Sequence, residues 1–297
     1  MGGEGSCGGS RPRVVAVVGP TAAGKTALGL ALAHALGGEV VNADAMQCYR
    51  GMDIGTAKLP AHEREGIPHH LLDIWAVRER ASVADYQRRG IAVVDELLAR
   101  GVTPIVVGGS GLYLRALLDD LALPPTDPAV RAELEEELEA VGPAALHRRL
   151  ALTDPVAAKA MLPSNGRRIV RALEVVALTG SFSATMPDGR YRWPTVQLGV
   201  SRADLAERIE DRVAHMFRAG LVEEVTALRE DGLAGAPTAR KALGYAQVLA
   251  MPDDPVAAAE ATVRATRRYA RRQRSWFRGD PRIVPVATAR EALAAVT

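Results

Sequence analysis

The sequence predicts an α/β protein in which a parallel sheet is flanked by helices and interrupted by an all-helical module. Within residues 13–120, short apolar runs alternate with helical patterns, which is typical of parallel strands joined by helices. A glycine-rich segment, 19–26, lies between the first apolar run and the first helical pattern. From about 121 to 180 the helical patterns continue without strands. Together these observations indicate a fold like that of P-loop NTPases, with an insertion.

Composition narrows the class of protein. The chain has 297 residues, of which 48% are hydrophobic and 24% charged, as is ordinary for a soluble globular protein. Its net charge of +2 excludes a global basic field, so affinity for nucleic acid must come from local patches. Cys7 and Cys48 form neither a disulfide framework nor a metal-ligand pattern. Without a signal peptide or membrane span in the sequence, we expect a cytoplasmic enzyme with no membrane partner, and a monomer by default.

Three domain-level segments are predicted. Residues 1–12 are rich in glycine and serine, which favours a disordered lead-in. Residues 13–120 and 190–297 form the core that contains the sheet and ends in a long C-terminal helix. Residues 121–189 form the inserted helical module.

Local patterns place the elements in order. Strands are predicted at 14–18, 39–42, 104–107, 196–200 and 283–286. Helices are predicted at 27–33, from the capping box at 82–85 to about 100, and at 130–140, 146–150, 167–179, 203–219 and 256–277. Asp127 and Pro128 suit the beginning of a helix, while 45–76 shows no clear period and is expected to be mostly loop.

The segment 19–26 matches the phosphate-loop pattern G-x-x-x-x-G-K-[ST] at every fixed position. It consists of Gly19, Pro20, Thr21, Ala22, Ala23, Gly24, Lys25 and Thr26. Glycines allow backbone N–H groups to surround an anion at the beginning of a helix. Lys25 would reach phosphate oxygens and the Thr26 hydroxyl would hold Mg²⁺. The plainer interpretation is a glycine-rich turn that binds nothing, and the motif does not identify the phosphate compound.

Asp44 follows the second predicted strand, at the edge of the sheet where ligands bind. Its carboxylate could orient Mg²⁺ or accept a proton, or it could simply form an Asx turn.

Arg208 and Arg212 lie four residues apart and share one helix face. They could clamp a diphosphate, or they could be an ordinary surface face that pairs with neighbouring acids.

Basic residues cluster in two places. Residues 263–278 contain seven arginines and no acidic residue, an imbalance that favours an anionic polymer. Arg167, Arg168 and Arg171 form a second cluster within the predicted module, and two such patches suit a folded RNA. We therefore expect the C-terminal helix of the catalytic core and the inserted module at 121–189 to bind RNA. The pair His69–His70 beside Asp73 has no third ligand at a suitable spacing, so we expect a structural role for it.

Several separated motifs, taken in order, resemble those of the tRNA dimethylallyltransferases, also called tRNA isopentenyltransferases. They lie at 19–26, 42–49, 51–58, 68–73, 107–113, 171–174, 208–212, 242–245 and 271–278. The run Met52-Asp53-Ile54-Gly55-Thr56 is the most specific of them. The resemblance covers nearly the whole chain. It implies transfer of a dimethylallyl group from dimethylallyl diphosphate to N6 of the adenosine 3′ to the anticodon.

The resemblance also implies roles for matched positions. Lys25, Thr26, Arg208 and Arg212 would hold the diphosphate leaving group with Mg²⁺, and Asp44 would be the general base. Positions expected to contact the tRNA anticodon stem-loop are Asp44, Ala45, Met46, Gln47, Ser110, Arg131, Arg167, Arg168, Arg171, Lys241, Gly244, Tyr245, Arg271, Arg272, Gln273, Arg274, Trp276 and Arg278. The target base would be flipped out of its stack to reach the site.

This sequence departs from the family pattern at a few positions. Ser110 stands where threonine is common, Gly111 where a larger residue is usual, and Lys241 where arginine or glutamine is usual. Arg167-Arg168 replaces the commoner Gln-Arg.

Three other functions remain open at this point. An adenylate isopentenyltransferase would use free AMP or ADP and would need neither the helical module nor the basic helix. A phosphate-loop kinase of a small metabolite would transfer phosphoryl groups. A non-catalytic RNA-binding protein would bind tRNA without prenyl transfer.

Overall fold

The structure is a computed structural model that describes residues 13–183 and 189–297. The predicted lead-in, 1–12, and Cys7 lie outside the described residues. The strands are β1 Val14–Val18, β2 Gly38–Asn42, β3 His69–His70, β4 Thr103–Gly108, β5 Thr195–Val200 and β6 Ile283–Val286. The helices are α1 Lys25–Leu36, α2 Val83–Ala99, α3 Gly111–Leu118, α4 Pro128–Val141, α5 Pro143–Thr153, α6 Pro155–Lys159, α7 Gly166–Thr179, α8 Leu205–Arg218, α9 Leu221–Glu230, α10 Tyr245–Ala250, α11 Pro255–Arg278 and α12 Ala289–Val296.

The six strands form one parallel sheet in the order β3-β2-β4-β1-β5-β6. The central strand β1 is buried along its whole length, as expected for a parallel strand covered on both faces. Because successive side chains point to opposite faces, Val14, Ala16 and Val18 join one hydrophobic core while Val15 and Val17 join the other. The sheet therefore separates two helical layers, which confirms the predicted fold class.

Most predicted elements are present, with shifted ends. The capping box predicted at Ser82 is confirmed in part, because the Ser82 hydroxyl accepts a hydrogen bond from the Asp85 N–H at the start of α2. Asp127 caps α4 by accepting from the N–H groups of Ala129 and Val130. The prediction of loop across 45–76 missed β3, a two-residue edge strand. Helices α3, α6, α9, α10 and α12 were also missed.

Two compact units divide the chain. One consists of residues up to Asp119 together with Tyr191–Thr297, and contains the sheet; the other is Asp120–Arg190, and contains α4 to α7. Within the described part of this smaller unit there are helices and no strands. Its core is built from apolar side chains that include Leu146, Leu150 and Ile169.

A buried carboxylate organises the smaller unit. Glu174 on α7 is 0% exposed and accepts hydrogen bonds from Arg131, from Arg171 and from the Thr126 hydroxyl. Burial alone would raise the pKa of Glu174, but these hydrogen bonds outweigh it and lower the pKa to about 2. The ionised form is therefore stabilised, and it ties the segment before α4 to α7.

We predict that Glu174→Gln lowers the free energy of unfolding by about 2–3 kcal/mol at pH 7, because two guanidiniums lose their buried partner. Urea unfolding would measure the loss. Since the folded pKa lies below the unfolded value, this stabilisation is present above about pH 4.5 and is lost as pH falls toward about 2.

Glu137→Gln is the matched control within the same unit. Glu137 pairs with Arg149 at an exposed position, and such pairs contribute about 1 kcal/mol or less. Equal losses for the two variants would contradict the role assigned to Glu174.

Candidate active site

The candidate site lies at the carboxyl edge of the sheet, where ligands bind in open α/β folds. The phosphate loop follows β1, the Asp44 segment follows β2, and the turn at Gly109–Ser110 follows β4. Because β4 lies between β2 and β1, its turn separates the other two segments. The Ala43 N–H donates to the Val107 carbonyl at 2.8 Å, which fixes the Asp44 segment against β4.

The phosphate loop has the backbone shape that its glycines predict. Gly19 has φ +148° and Gly24 has φ +93°, and Ala22 adopts φ +64°. A Cβ on Gly19 would lie 2.4 Å from the Val200 carbonyl oxygen, so only glycine allows this approach. Helix α1 begins at Lys25 without a side-chain cap. Its first N–H groups are thus available for an anion.

One hydrogen bond closes this loop and two others attach it to distant helices. Within the loop, Lys25 Nζ donates to the Pro20 carbonyl at 2.8 Å. From outside, Arg208 Nε donates to the Ala22 carbonyl at 2.8 Å, and the Thr21 N–H donates to Gln273 Oε1 at 2.9 Å. The loop is consequently held by α8 and α11.

Two cations and one carboxylate converge beside the loop. Burial lowers the pKa of Lys25 to about 8; the charge of Asp44 opposes this shift and that of Arg212 adds to it. Burial also lowers the pKa of Arg212, and Asp44 again opposes the shift. Arg212 Nη2 donates to the Thr56 carbonyl at 3.1 Å. Two partly buried cations with a single carboxylate leave a net positive site, which suits a polyanion.

Asp44 forms the Asx turn that the plainer interpretation predicted. Its Oδ1 accepts from the Met46 N–H at 3.0 Å, and its own N–H donates to Asn42 Oδ1 at 2.9 Å. In the part of the chain that the structure describes, this turn uses only one carboxylate oxygen. Asp44 keeps partial exposure, so the turn orients the carboxylate without burying it.

The turn after β4 connects the Asp44 segment to α11. Ser110 Oγ accepts from the Ala45 N–H at 3.2 Å and is hydrogen-bonded to Tyr269. A Cβ on Gly111 would lie 2.2 Å from Trp276 Nε1. The Trp276 ring therefore occupies the space that a larger residue at position 111 would need.

Some residues predicted to contact tRNA lie in the interior. Tyr245 is 0% exposed and Gln273 is 5% exposed. Their burial disagrees with a direct RNA contact, because their polar atoms bond to protein groups. Gly244, also buried, begins α10 with φ +87°. Arg131 and Arg171 are bound to Glu174 as described above.

Other predicted RNA contacts are at the surface. Trp276 is 45% exposed. The exposed cations are Arg167, Arg168, Lys241, Arg271, Arg272, Arg274 and Arg278. The partly exposed members of the Asp44 segment are Ala45, Met46 and Gln47.

The structure also brings in residues that sequence reasoning missed. Asn42 orients Asp44, Tyr269 bonds Ser110, and Glu224 holds the loop before Thr56. Tyr269 precedes Gln273 by one helical turn, and that spacing could have revealed a shared face. Glu224 carries no local signal, because its partners are distant backbone groups.

No cluster of three or more His, Cys, Asp or Glu side chains suited to a metal ion occurs within residues 13–183 and 189–297. His70 Nε2 lies 2.6 Å from Glu39 Oε2, and Glu39 also accepts from Arg100, which confirms the structural role expected of this histidine. Thr26 is exposed in the first turn of α1. Mg²⁺ is commonly bound by only one or two protein oxygens together with substrate phosphates, and the Thr26 hydroxyl could be such a protein ligand.

The fold and site define a phosphate-loop α/β protein with a carboxylate beside an anion site. The family model described as IPP transferase matches residues 47–280. A tRNA dimethylallyltransferase of Parafrankia sp. is 62% identical over 274 residues, covering 91% of this chain and 86% of that protein. One from Streptomyces coelicolor is 62% identical over 278 residues, covering 92% and 89%. This chain therefore belongs to the IPP transferase family.

Solved structures agree with the family. A tRNA isopentenylpyrophosphate transferase from Bacillus halodurans has a TM-score of 0.68 and 39% identity, covering 95% of this chain and 93% of that one. A eukaryotic dimethylallyltransferase acting on tRNA has a TM-score of 0.75 and 25% identity, covering 96% and 76%. Among the described residues, every helix is too short or too polar to cross a bilayer.

We predict that affinity for inorganic pyrophosphate falls as pH rises through about 8, because Lys25 loses its charge there. The side chain of the variant Lys25→Arg stays charged over this range. The ratio of wild-type affinity to Lys25→Arg affinity should therefore be about tenfold lower at pH 9 than at pH 7. Isothermal titration calorimetry at several pH values would measure both. Ionisation of pyrophosphate affects both proteins equally, so parallel curves would contradict the prediction.

Proposed function

We propose that this protein transfers a dimethylallyl group from dimethylallyl diphosphate to N6 of the adenosine 3′ to the anticodon in tRNA. The observation that carries the proposal is the convergence of Lys25, Arg212 and Asp44 beside the phosphate loop. It provides an anion site and a proton acceptor in one place. The names of the relatives support the substrate and the group transferred.

The diphosphate of the substrate would occupy the phosphate loop. As the carbon–oxygen bond breaks, negative charge grows on the departing diphosphate, and groups that neutralise it lower the barrier. Lys25 and Arg212 supply charge, Arg208 supports the loop through Ala22, and the N–H groups at the beginning of α1 add their dipoles. Mg²⁺ held by Thr26 would supply further positive charge to the diphosphate.

Asp44 would act as the general base. The lone pair of adenine N6 is delocalised into the ring, which makes the amine a poor nucleophile. A carboxylate that accepts a hydrogen bond from N6–H strengthens it as the carbon–nitrogen bond forms. The N6 proton passes to Asp44, and the bonding electrons of the carbon–oxygen bond leave with diphosphate. The Asx turn keeps the carboxylate in place.

The exposed arginines of α11 would bind the RNA backbone. Arg271, Arg272, Arg274 and Arg278 are exposed on the same helix, and phosphate contacts of this kind dominate RNA affinity. Trp276 adds an aromatic face on which a base can stack. Arg167 and Arg168 on α7 would contribute a second patch.

We also propose that the enzyme works as a monomer in the cytoplasm, where its tRNA substrate is found.

The basic helix favours tRNA over the other substrates considered. Binding a free adenine nucleotide does not require a row of exposed arginines. Phosphorylation of a small metabolite does not require them either. RNA binding without catalysis does not account for the partly buried Lys25 and Arg212 at the phosphate loop.

Product analysis tests the proposal directly. Purified protein, Mg²⁺ and dimethylallyl diphosphate are mixed with unmodified tRNA or with AMP, and digested nucleosides are examined by mass spectrometry. We expect N6-dimethylallyladenosine from tRNA alone. Product from AMP would support prenyl transfer but contradict tRNA as the acceptor. ATP turnover without prenyl product would indicate a kinase.

We predict that Asp44→Asn lowers kcat by at least about 100-fold, because the amide cannot accept the proton. Its oxygen can still accept from the Met46 N–H, so the turn should persist. Single-turnover assays would measure the rate, and filter binding should give a tRNA Kd within about twofold of wild type. A rate close to wild type would refute the role as general base.

A further inference from the structure

Glu224 on α9 binds the loop that contains the family's most specific motif. Its carboxylate accepts from the N–H groups of Asp53, Ile54 and Gly55 at 3.1, 2.8 and 3.3 Å. The Tyr245 hydroxyl donates to the same carboxylate. One charged side chain thus satisfies three consecutive backbone donors, and charge-assisted bonds of this kind are the stronger ones.

The contact between Gly55 and Tyr245 makes this arrangement specific. A Cβ on Gly55 would lie 2.4 Å from Tyr245 Cε2 and 2.9 Å from a methyl group of Leu221. Glycine is therefore required where the loop crosses the buried tyrosine ring. Burial, with the nearby Glu224 charge, raises the pKa of Tyr245, so the hydroxyl remains a donor.

The other end of the same loop reaches the candidate site. The Thr56 carbonyl accepts from Arg212 Nη2 at 3.1 Å and from Gln47 Nε2 at 3.2 Å. Thr56 Oγ1 donates to the Met52 carbonyl at 2.7 Å, which closes the turn. A continuous chain of hydrogen bonds therefore joins Tyr245, Glu224, residues 53–56 and Arg212.

We propose that Glu224 is a positioning residue that fixes Arg212 through the loop at 53–56. The inference rests on the proposed role of Arg212 at the diphosphate. Without the carboxylate, three backbone donors lose their acceptor and the Thr56 carbonyl loses its fixed place. Arg212 then lacks the partner that orients its guanidinium toward the phosphate loop. Preorganisation of this kind determines how well a charge stabilises a leaving group.

Glu224→Gln tests the proposal, because the amide keeps the size and removes the charge. We expect kcat to fall about tenfold or more, with weaker binding of inorganic pyrophosphate and an unchanged tRNA Kd. Glu223→Gln, at the exposed neighbouring position on α9, is the matched control and should behave as wild type. Equal effects of the two variants, or a wild-type Glu224→Gln, would overturn the proposal.

A double-mutant cycle with Arg212→Ala separates positioning from general destabilisation. If Glu224 acts through Arg212, adding Glu224→Gln to Arg212→Ala should weaken pyrophosphate binding by less than about twofold. Independent effects that multiply would overturn the inference. A normal pyrophosphate affinity and kcat in Arg212→Ala alone would instead refute the proposed role of Arg212.

Tyr245→Phe keeps the test valid if Glu224→Gln does not fold. It removes one hydroxyl and preserves the ring that packs on Gly55. We expect the same pattern at smaller size: lower kcat, weaker pyrophosphate binding, unchanged tRNA affinity and little further loss in Arg212→Ala. A loss confined to thermal stability would contradict positioning.

Discussion

The side-chain amide of Gln273 joins the phosphate loop to the turn after β4. Its oxygen accepts from the Thr21 N–H of the phosphate loop, and its nitrogen donates to the Gly109 carbonyl after β4 at 2.8 Å. A glutamate could not donate and a lysine could not accept, so both bonds require an amide. Because Gln273 belongs to α11, the helix with the exposed arginines also determines the shape of the phosphate loop. The exposed arginines and the side chain that contacts the phosphate loop thus belong to one helix.

The charged side chains of the candidate site also depend on one another. Lys25 and Arg212 are partly buried near each other, and like charges placed so cost free energy in the absence of an anion. Asp44 offsets part of that cost, as its opposing effect on both pKa values shows. A diphosphate would offset more, so the cations favour ligand over solvent.

How much of this could be predicted depended on whether the signal was local. The phosphate loop, the cap at Ser82 and the long helix α11 follow from patterns within a few residues. Strand β3 has only two residues, and its pairing with β2 is a tertiary choice that no short window contains. Gln273 was assigned to the RNA surface because it lies in the motif at 271–278 that resembles the family, although it is on the buried face of α11. Glu224 could not be found, since it recognises backbone N–H groups 169–171 residues away.

Counting charges along the sequence also overstates the surface available to RNA. Residues 263–278 contain no acid of their own, yet Arg267 is paired with Glu210 from α8. In the smaller unit, Glu174 holds Arg131 and Arg171, and Arg171 also donates to the carbonyls of Pro124 and Pro125. Guanidiniums bound in this way add shape and rigidity more than free charge, because their field is neutralised at short range. The electrostatic part of RNA binding should therefore depend chiefly on the exposed arginines of α11, together with the exposed Arg167 and Arg168 on α7.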